Sequence, residues 1–397
     1  MFFIFIIDLE CALSCILKVE EYVRYIYFAL GIQCYNHIVH TGTASNFSMY
    51  GLQVNLNYGG MILNLVTLGK TGITVNKNGF GALPIQRISK EEAAVLLKKA
   101  YKEGINFFDT ARFYTDSEEK IGYALSDVRD NIYIASKTMT TKVEELWQQL
   151  DTSLDMLKTD HLDIYQFHNP GFCPKPGDGT GLYEAMLEAK AKGMIRHIGI
   201  TNHRLAVAVE AAESGLYETI QFPFSYLSSD KEIELVKLCK ERGIGFIAMK
   251  ALSGGLITNS AAAYAYLAQY DNVLPIWGVQ REKELDEFIS YIKNPPELGG
   301  ELSDVIENDR KALNGDFCRG CGYCLPCPAN IDIPTSARMS LMIRRAPVSV
   351  YLSDTWKEKM RRIEDCIHCN HCKEHCPYGL DTPRLLEENW ADYKKFI

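Results

Sequence analysis

The sequence predicts an α/β protein: a (β/α)8 TIM barrel followed by a small, mainly α-helical, cysteine-rich domain. Three observations carry this. From residue 79 onward, short apolar β-rich runs alternate with amphipathic helical runs, eight of each over about 215 residues. That is the count and length of one closed barrel. No G-x-G-x-x-G turn follows the first strand, as it usually would in a doubly wound sheet. Finally, eight of the 13 cysteines fall in two tight runs near the C-terminus.

The elements can be justified in order. The first 60 residues carry no consistent period and read as an extension of doubtful order. Its apolar opening, MFFIFII, is broken by Asp8 and Glu10, and the next apolar stretch, Tyr25 to Ile32, is short and flanked by charge. Neither reaches the roughly 18 uncharged residues of a membrane span, and no basic region precedes the first as in a signal peptide. Met61 begins a run like an ordinary protein start. Leu65–Leu68 and Ile73–Val75, joined by Gly69-Lys-Thr-Gly72, read as a hairpin that could plug the barrel bottom. The barrel strands are GFGAL (79–83), NFFDT (106–110), NIYIASK (131–137), LDIYQFH (162–168), IRHIGIT (195–201), TIQFPF (219–224), GFIAMK (245–250) and VLPIWGV (273–279). Ser89-Lys-Glu-Glu92 is a capping box that opens the first helix, and Gly104 stops it. The later helices keep the 3.6 period and several end at glycine. The expected organisation is 1–60 extension, 61–295 barrel, 296–315 linker, 316–380 cysteine domain and 381–397 C-terminal tail. Composition is that of a globular protein, 47% hydrophobic and 23% charged, and a net charge of −8 argues against nucleic acid as a main partner.

The first cysteine run is Cys318-x2-Cys321-x2-Cys324-x2-Cys327, followed by Pro328. The second is Cys366-x2-Cys369-x2-Cys372-x3-Cys376, followed by Pro377. Cysteines at i, i+3 and i+6 wrap one cubane, and a fourth beside a proline reaches across to the neighbouring cluster. The spacing therefore predicts two [4Fe–4S] clusters. Cys318, Cys321 and Cys324 would pair with Cys376; Cys366, Cys369 and Cys372 would pair with Cys327. The first run is one residue shorter than the usual spacing before its fourth cysteine. Zinc sites use two separated Cys-x2-Cys pairs, and disulfide frameworks suit small secreted chains. The clusters imply a redox-active, cytoplasmic protein, with a redox partner protein possible and neither membrane nor nucleic acid as partner. Cys11, Cys15, Cys34, Cys173 and Cys239 lack ligand spacing.

In such a barrel, function sits at the C-terminal ends of the strands. The second strand ends in Asp109 and its loop carries Tyr114; the third ends in Lys137 and the fourth in His168. These are the parts of a proton-donating site for carbonyl reduction. A tyrosine hydroxyl titrates near 10. A neighbouring lysine cation would lower that value, a carboxylate would hold the lysine, and the histidine would orient the carbonyl oxygen. Each residue alone has an ordinary structural explanation; four at successive strand ends are less readily explained that way.

The stretches FFDTARFYTDSEEKIGYAL, SKT, HLDIYQFHNP and IRHIGITNH resemble the aldo/keto reductase family over residues 61–295. The resemblance carries that family's catalytic tetrad onto Asp109, Tyr114, Lys137 and His168. With GDFCRGCGYCLPCP and EDCIHCNHCKEHCPYGLDTP, the chain is similar to the subgroup fused to a C-terminal ferredoxin-type 4Fe–4S dicluster domain. The family binds NAD or NADP extended across the barrel top. By resemblance, Thr201, Asn202 and Gln221 would hold the nicotinamide amide, although strand-end hydrogen bonding is their alternative role. Gly278, Gln280 and Arg281, in PIWGVQREKELDE, would take the adenosine phosphate, at a helix N-terminus suited to anions. Met249 stands where many relatives have an aromatic, Gln280 where many have arginine, and Asn370 at an often-glycine position of the cluster loop. The implied activity is reduction of an aldehyde or ketone by NAD(P)H, or the reverse, with the clusters transferring single electrons. The rival expectation is an electron-transfer or redox-sensing protein whose barrel binds nucleotide with little turnover. No flavin motif is seen that would convert hydride into single electrons.

Overall fold

The computed structural model describes residues 56–58, 61–313, 315–345 and 348–397. Two short antiparallel hairpins come first. β1 (Leu56–Tyr58) pairs with β2 (Met61–Leu63), and β3 (Leu65–Thr67) with β4 (Thr74–Asn76). The first hairpin spans the expected boundary at residue 60; residues 1–55 lie outside the described part. Eight parallel strands then close a barrel: β5 (Gly79–Gly81), β6 (Phe107–Asp109), β7 (Tyr133–Thr138), β8 (Leu162–His168), β9 (Ile195–Thr201), β10 (Thr219–Pro223), β11 (Gly245–Met249) and β12 (Val273–Gly278). β12 pairs back onto β5, Ile276 opposite Gly79, which closes the ring.

Eight helices form the outer shell: α1 (Lys90–Lys102), α2 (Ser117–Leu125), α3 (Val143–Leu157), α4 (Leu182–Ala191), α5 (Leu205–Ser214), α6 (Asp230–Arg242), α7 (Ser260–Ala268) and α8 (Glu282–Lys293). The Ser89–Glu92 capping box is present, with Ser89 N donating to the Glu92 carboxylate at 2.8 Å. The β3–β4 hairpin plugs the barrel interior: Val66, Leu68, Ile73 and Val75 are buried with Phe107, Ile164, Ile247 and Leu274. Fully burying a side chain of that size contributes about 1.5–3 kcal/mol. The plug lies at the end opposite the strand C-termini, where Gly69 bridges to Ile244, and the candidate site lies at the other end.

The expected linker holds a helix, α9 (Gly300–Ala312), whose Ile306 is buried in the barrel's shell core. After it come α10 (Ile333–Ser336), α11 (Met339–Arg345), α12 (Val348–Tyr351), α13 (Asp354–Arg361), α14 (His371–Glu374) and α15 (Thr382–Tyr393). They pack around their own core of Ile331, Met339, Ile343, Met360, Leu386 and Tyr393. Residues 382–393 are therefore part of the cysteine domain's core rather than a tail beyond it. Their apolar positions 385, 386, 390 and 393 share one helical face, and that face is what α10, α11 and α13 need to bury.

Candidate active site and iron–sulfur module

Asp109, Lys137 and His168 sit at or near the ends of three adjacent strands, with Tyr114 in the loop after the first. Lys137 Nζ donates to Asp109 Oδ1 at 2.7 Å, to Oδ2 at 2.8 Å and to the Thr110 carbonyl at 2.5 Å. Both partners are almost fully buried, Lys137 at 1% exposure and Asp109 at 2%. Gln221 Nε2 adds a bond to Asp109 Oδ1 at 3.3 Å, and Gln166 Nε2 donates to Gln221 Oε1 at 2.9 Å. The ammonium lies 5.2 Å from the Tyr114 ring centroid. The Tyr114 and His168 rings stand perpendicular, 5.8 Å apart. The Tyr114 loop is fixed by Tyr114 N to the Ala111 carbonyl at 3.0 Å and Ser117 N to the Tyr114 carbonyl at 2.8 Å. The structure thus brings the four sequence-predicted residues to one place.

The electrostatics differ from the sequence expectation at Tyr114. Its hydroxyl is pushed well above the ordinary value, first by burial, then by the negative charge of Asp109 and by Tyr323. Lys137 cannot reverse this, because its charge is matched by Asp109 at contact distance. Burial also pushes the Lys137 ammonium down and the Asp109 carboxyl up, against the mutual attraction of the pair. Burial, helped by Lys137, lowers His168 to about 3. His168 is therefore neutral at physiological pH, and its Nδ1 is buried without a partner. A neutral imidazole beside a protonated phenol suits binding a carbonyl oxygen and delivering a proton to it.

The expected nucleotide contacts are distributed across the same face. Thr201 ends β9, and its hydroxyl meets Met249 Sδ at 3.8 Å. The Asn202 amide is already engaged: Nδ2 donates to the Pro170 carbonyl at 2.8 Å, and Oδ1 accepts from Arg204 N at 2.8 Å. Gln221 is engaged as described above. Gly278 ends β12. Glu284 accepts from Gln280 N and Arg281 N at 3.0 and 3.1 Å, so a carboxylate holds the amides at the start of α8, while Gln280 Oε1 is buried without a partner. The Gly177–Gly181 loop is pinned by Gly177 N to Glu184 at 2.7 Å and Thr180 N to Asp178 at 2.8 Å.

The eight cysteines line two small voids. Cys318, Cys321, Cys324 and Cys376 lie at one, the inner site. Cys327, Cys366, Cys369 and Cys372 lie at the other, the outer site. Cys324 and Cys372 also touch the opposite void. Cys327 takes its place despite the short spacing. Asn370 adopts φ +60° between two ligands, the left-handed geometry its type tolerates. Among the described residues no three such side chains converge as closely as a single ion requires, whereas a cubane takes its thiolates at four separate irons. Burial pushes the Cys324 thiol up to about 12 and Cys372 to about 11, and neighbouring cysteines add to both. Such thiols ionise only against a bound cationic core, which a cluster supplies. The residues fit two [4Fe–4S] groups.

Sequence reasoning missed how this module meets the barrel. Tyr378, two residues after Cys376, bonds His203 Nδ1 at 2.5 Å, and Tyr323 lies edge-on to the same imidazole with centroids 5.1 Å apart. Lys250, after β11, donates to the Arg319 carbonyl at 3.5 Å. Arg338 reaches the Ser253 carbonyl at 3.4 Å, and Arg345 the Leu256 carbonyl at 2.6 Å. The module sits on the loops after β9, β10 and β11, beside the tetrad. The one local signal was the position of Tyr323 inside the first cysteine run and of Tyr378 just after the second.

A (β/α)8 barrel with this rim site and an attached module of eight ligand-spaced cysteines defines an oxidoreductase with an iron–sulfur domain. Residues 77–262 match the Aldo/keto reductase family and residues 317–381 match the 4Fe-4S dicluster domain. The chain thus carries an aldo/keto reductase domain followed by a C-terminal 4Fe–4S dicluster domain. It is 28% identical over 215 residues to L-galactose dehydrogenase of Arabidopsis thaliana, covering 49% of this chain and 67% of that one. An aldo-keto reductase of Bacillus halodurans shares the fold with a TM-score of 0.56 at 21% identity, covering 64% of this chain and 98% of that one. So does an aldo-keto reductase of Klebsiella pneumoniae solved with NADPH, at TM-score 0.54 and 21% identity, covering 63% and 96%. The match spans between 60% and 67% of the length of the first four curated relatives. Among the described residues no helix is long and apolar enough to cross a membrane.

Proposed function

We propose that the chain reduces a carbonyl substrate, aldehyde or ketone, with NAD(P)H as hydride source, and that its clusters exchange single electrons with a redox partner protein. One observation carries this: the buried Lys137–Asp109 pair lies beneath Tyr114, with a neutral His168 perpendicular to it. The nucleotide, when bound, supplies hydride to the carbonyl carbon. His168 orients the carbonyl oxygen and Tyr114 Oη gives it the proton. Lys137 and Asp109 keep the base of the site charged, ordered and free of water. A phenol held above its ordinary pKa keeps its proton until alkoxide charge develops on the substrate oxygen.

The nucleotide is proposed to meet the chain at two ends of the barrel mouth. Unpartnered buried atoms, His168 Nδ1 and Gln280 Oε1, mark where the nicotinamide and adenosine portions are proposed to lie. Thr201, Asn202 and Gln221 are proposed contacts at the first end, and Gly278, Gln280 and Arg281 at the second. That the Klebsiella relative was solved with NADPH supports this reading. Eight unbridged ligand cysteines point to a reducing compartment, and the cytoplasm is the proposed location.

The second reading, a redox carrier or sensor with little turnover, is favoured by one finding. The Asn202 and Gln221 amides already have partners within the protein. Anaerobic titration with NADH and NADPH, followed by turnover of an aldehyde panel, separates the two. Turnover that vanishes in Tyr114→Phe supports the reductase; tight nucleotide binding without turnover supports the carrier.

A further inference from the structure

Three cations converge on the inner cysteine site without a carboxylate bound to any of them. Lys250 comes from the barrel, Arg319 lies between Cys318 and Cys321, and Arg338 comes from the turn before α11. Lys250 Nζ has the Arg319 carbonyl as its partner at 3.5 Å. Arg338 has the Ser253 carbonyl at 3.4 Å, and its Nε is buried with no partner. Among the described residues none of the three forms an ion pair, although most other buried or half-buried cations do: Lys137 pairs with Asp109, Arg129 with Asp163, Arg345 with Asp309. The Arg338 guanidinium is wedged between two glycines in left-handed geometry. A Cβ at Gly254 would meet its Nη1 at 2.7 Å, and one at Gly320 its Cζ at 2.8 Å. The groups able to carry negative charge beside Lys250 are Cys321 and Cys318, while Arg338 and Arg319 repel it. Those bearing on Arg338 are the same two, with Tyr351 and with Asp332, which Lys359 already holds at 3.0 Å.

Half-buried cations without acidic partners are costly unless a counterion is present. The outer site differs. No lysine or arginine lines its void, Cys369 is exposed, and the neighbouring Ile367 is 65% exposed. A four-thiolate cluster is anionic and becomes more so by one charge on reduction. Fixed positive charge beside it stabilises the reduced form.

We propose that Lys250, Arg319 and Arg338 are the built-in counter-charge of the inner cluster, and that they make it the electron reservoir of the pair. The outer cluster, when bound, would then be the port, accepting an electron from an external one-electron donor at the exposed outer site, and the inner site would hold the charge. Each transfer moves one electron, and no bond or proton changes hands. Solvent around the outer cluster also favours its reduction, so the order of the two midpoints is the quantity at issue. The three charges act from within a packed seam, where screening is weak.

The test is an anaerobic potentiometric titration of the full, cluster-loaded chain with dithionite, read by electron paramagnetic resonance. Cys376→Ser identifies the inner cluster by the signal it alters. In the wild type that signal is expected to appear first. Lys250→Met and Arg338→Gln should each lower its reduction equilibrium constant at least tenfold, about 59 mV for a one-electron couple. The outer midpoint should stay in place, and Arg338→Lys should restore most of the loss. Unchanged inner midpoints in both variants, or an outer cluster that is reduced first, overturn the proposal. If either variant loads too little iron, Arg319→Gln on the same seam reads the same quantity under the same criteria.

Discussion

Lys137→Met probes the buried pair on which the site is built. The substitution leaves the Asp109 carboxylate 2% exposed, with Gln221 at 3.3 Å as its remaining side-chain donor. At the observed 2.7 Å the pair attracts by about 6 kcal/mol at an effective dielectric of about 20. Desolvation of both ions offsets part of this, and removing one partner of such a pair costs about 3–5 kcal/mol. Asp109→Asn/Lys137→Met removes both charges, so its cost should fall short of the sum of the single variants by about 2–3 kcal/mol. The assay is urea unfolding of the three variants and wild type at one pH, followed by tryptophan fluorescence. The sign of the pH dependence is a second check. Without Lys137 the folded-state pKa of Asp109 lies above its unfolded value, so the variant gains stability as pH falls and loses it as pH rises through the folded pKa. A single-variant loss below about 1 kcal/mol, or strict additivity in the cycle, refutes a desolvated ion pair at this position.

Other expectations are independent of that cycle. Tyr114→Phe should lower carbonyl reduction by about 10²–10⁴-fold while the cluster absorbance is unchanged; full activity removes Tyr114 as the proton donor. Because His168 falls to about 3 on folding, the unfolded chain binds its proton first as pH drops below about 6.5. Wild type should therefore lose stability relative to His168→Gln by about 1.4 kcal/mol per pH unit below that point, measured by thermal melts at two pH values; a constant difference contradicts the buried imidazole. Gly320→Ala places a Cβ 2.8 Å from the Arg338 guanidinium at φ +63°, costing about 1–2 kcal/mol in backbone strain alone. Limited proteolysis should then separate module from barrel sooner than in wild type; equal rates indicate a loose seam. Cys327→Ala should reduce the iron content by about the share of one cluster and leave the signal altered by Cys376→Ser intact; loss of both clusters contradicts the pairing across the two runs.

Much of this architecture was legible in the residues. The strand pattern placed β8 and β9 at their observed ends, because each is an apolar run bounded by a helix stop and a polar strand end. The cysteine spacing implies the cross-pairing, since three ligands from one run leave a fourth corner to the other, and the two runs do interleave around both voids. Asn370 was readable as a left-handed position from side-chain type alone. The seam was not readable. Tyr378 meets His203 across 175 residues, and no local period reports a contact of that range. The protonation of Tyr114 was misjudged for a related reason. Sequence shows that a lysine is near but not that its charge is already matched by Asp109, nor how deeply the phenol is buried. Helix α9 was hidden by the Pro and Gly signals just before it, while its buried Ile306 is a single residue.

The central claim is that Tyr114, His168 and the Lys137–Asp109 pair form a working carbonyl-reducing site. It is tested most directly by isotope transfer. The anaerobic, cluster-loaded chain is given an aldehyde and NAD(P)H carrying deuterium at the transferable nicotinamide position. The account predicts alcohol product with deuterium at the former carbonyl carbon for the wild type, and almost none for Tyr114→Phe. Deuterium-free alcohol, or equal labelling by the two proteins, would contradict it.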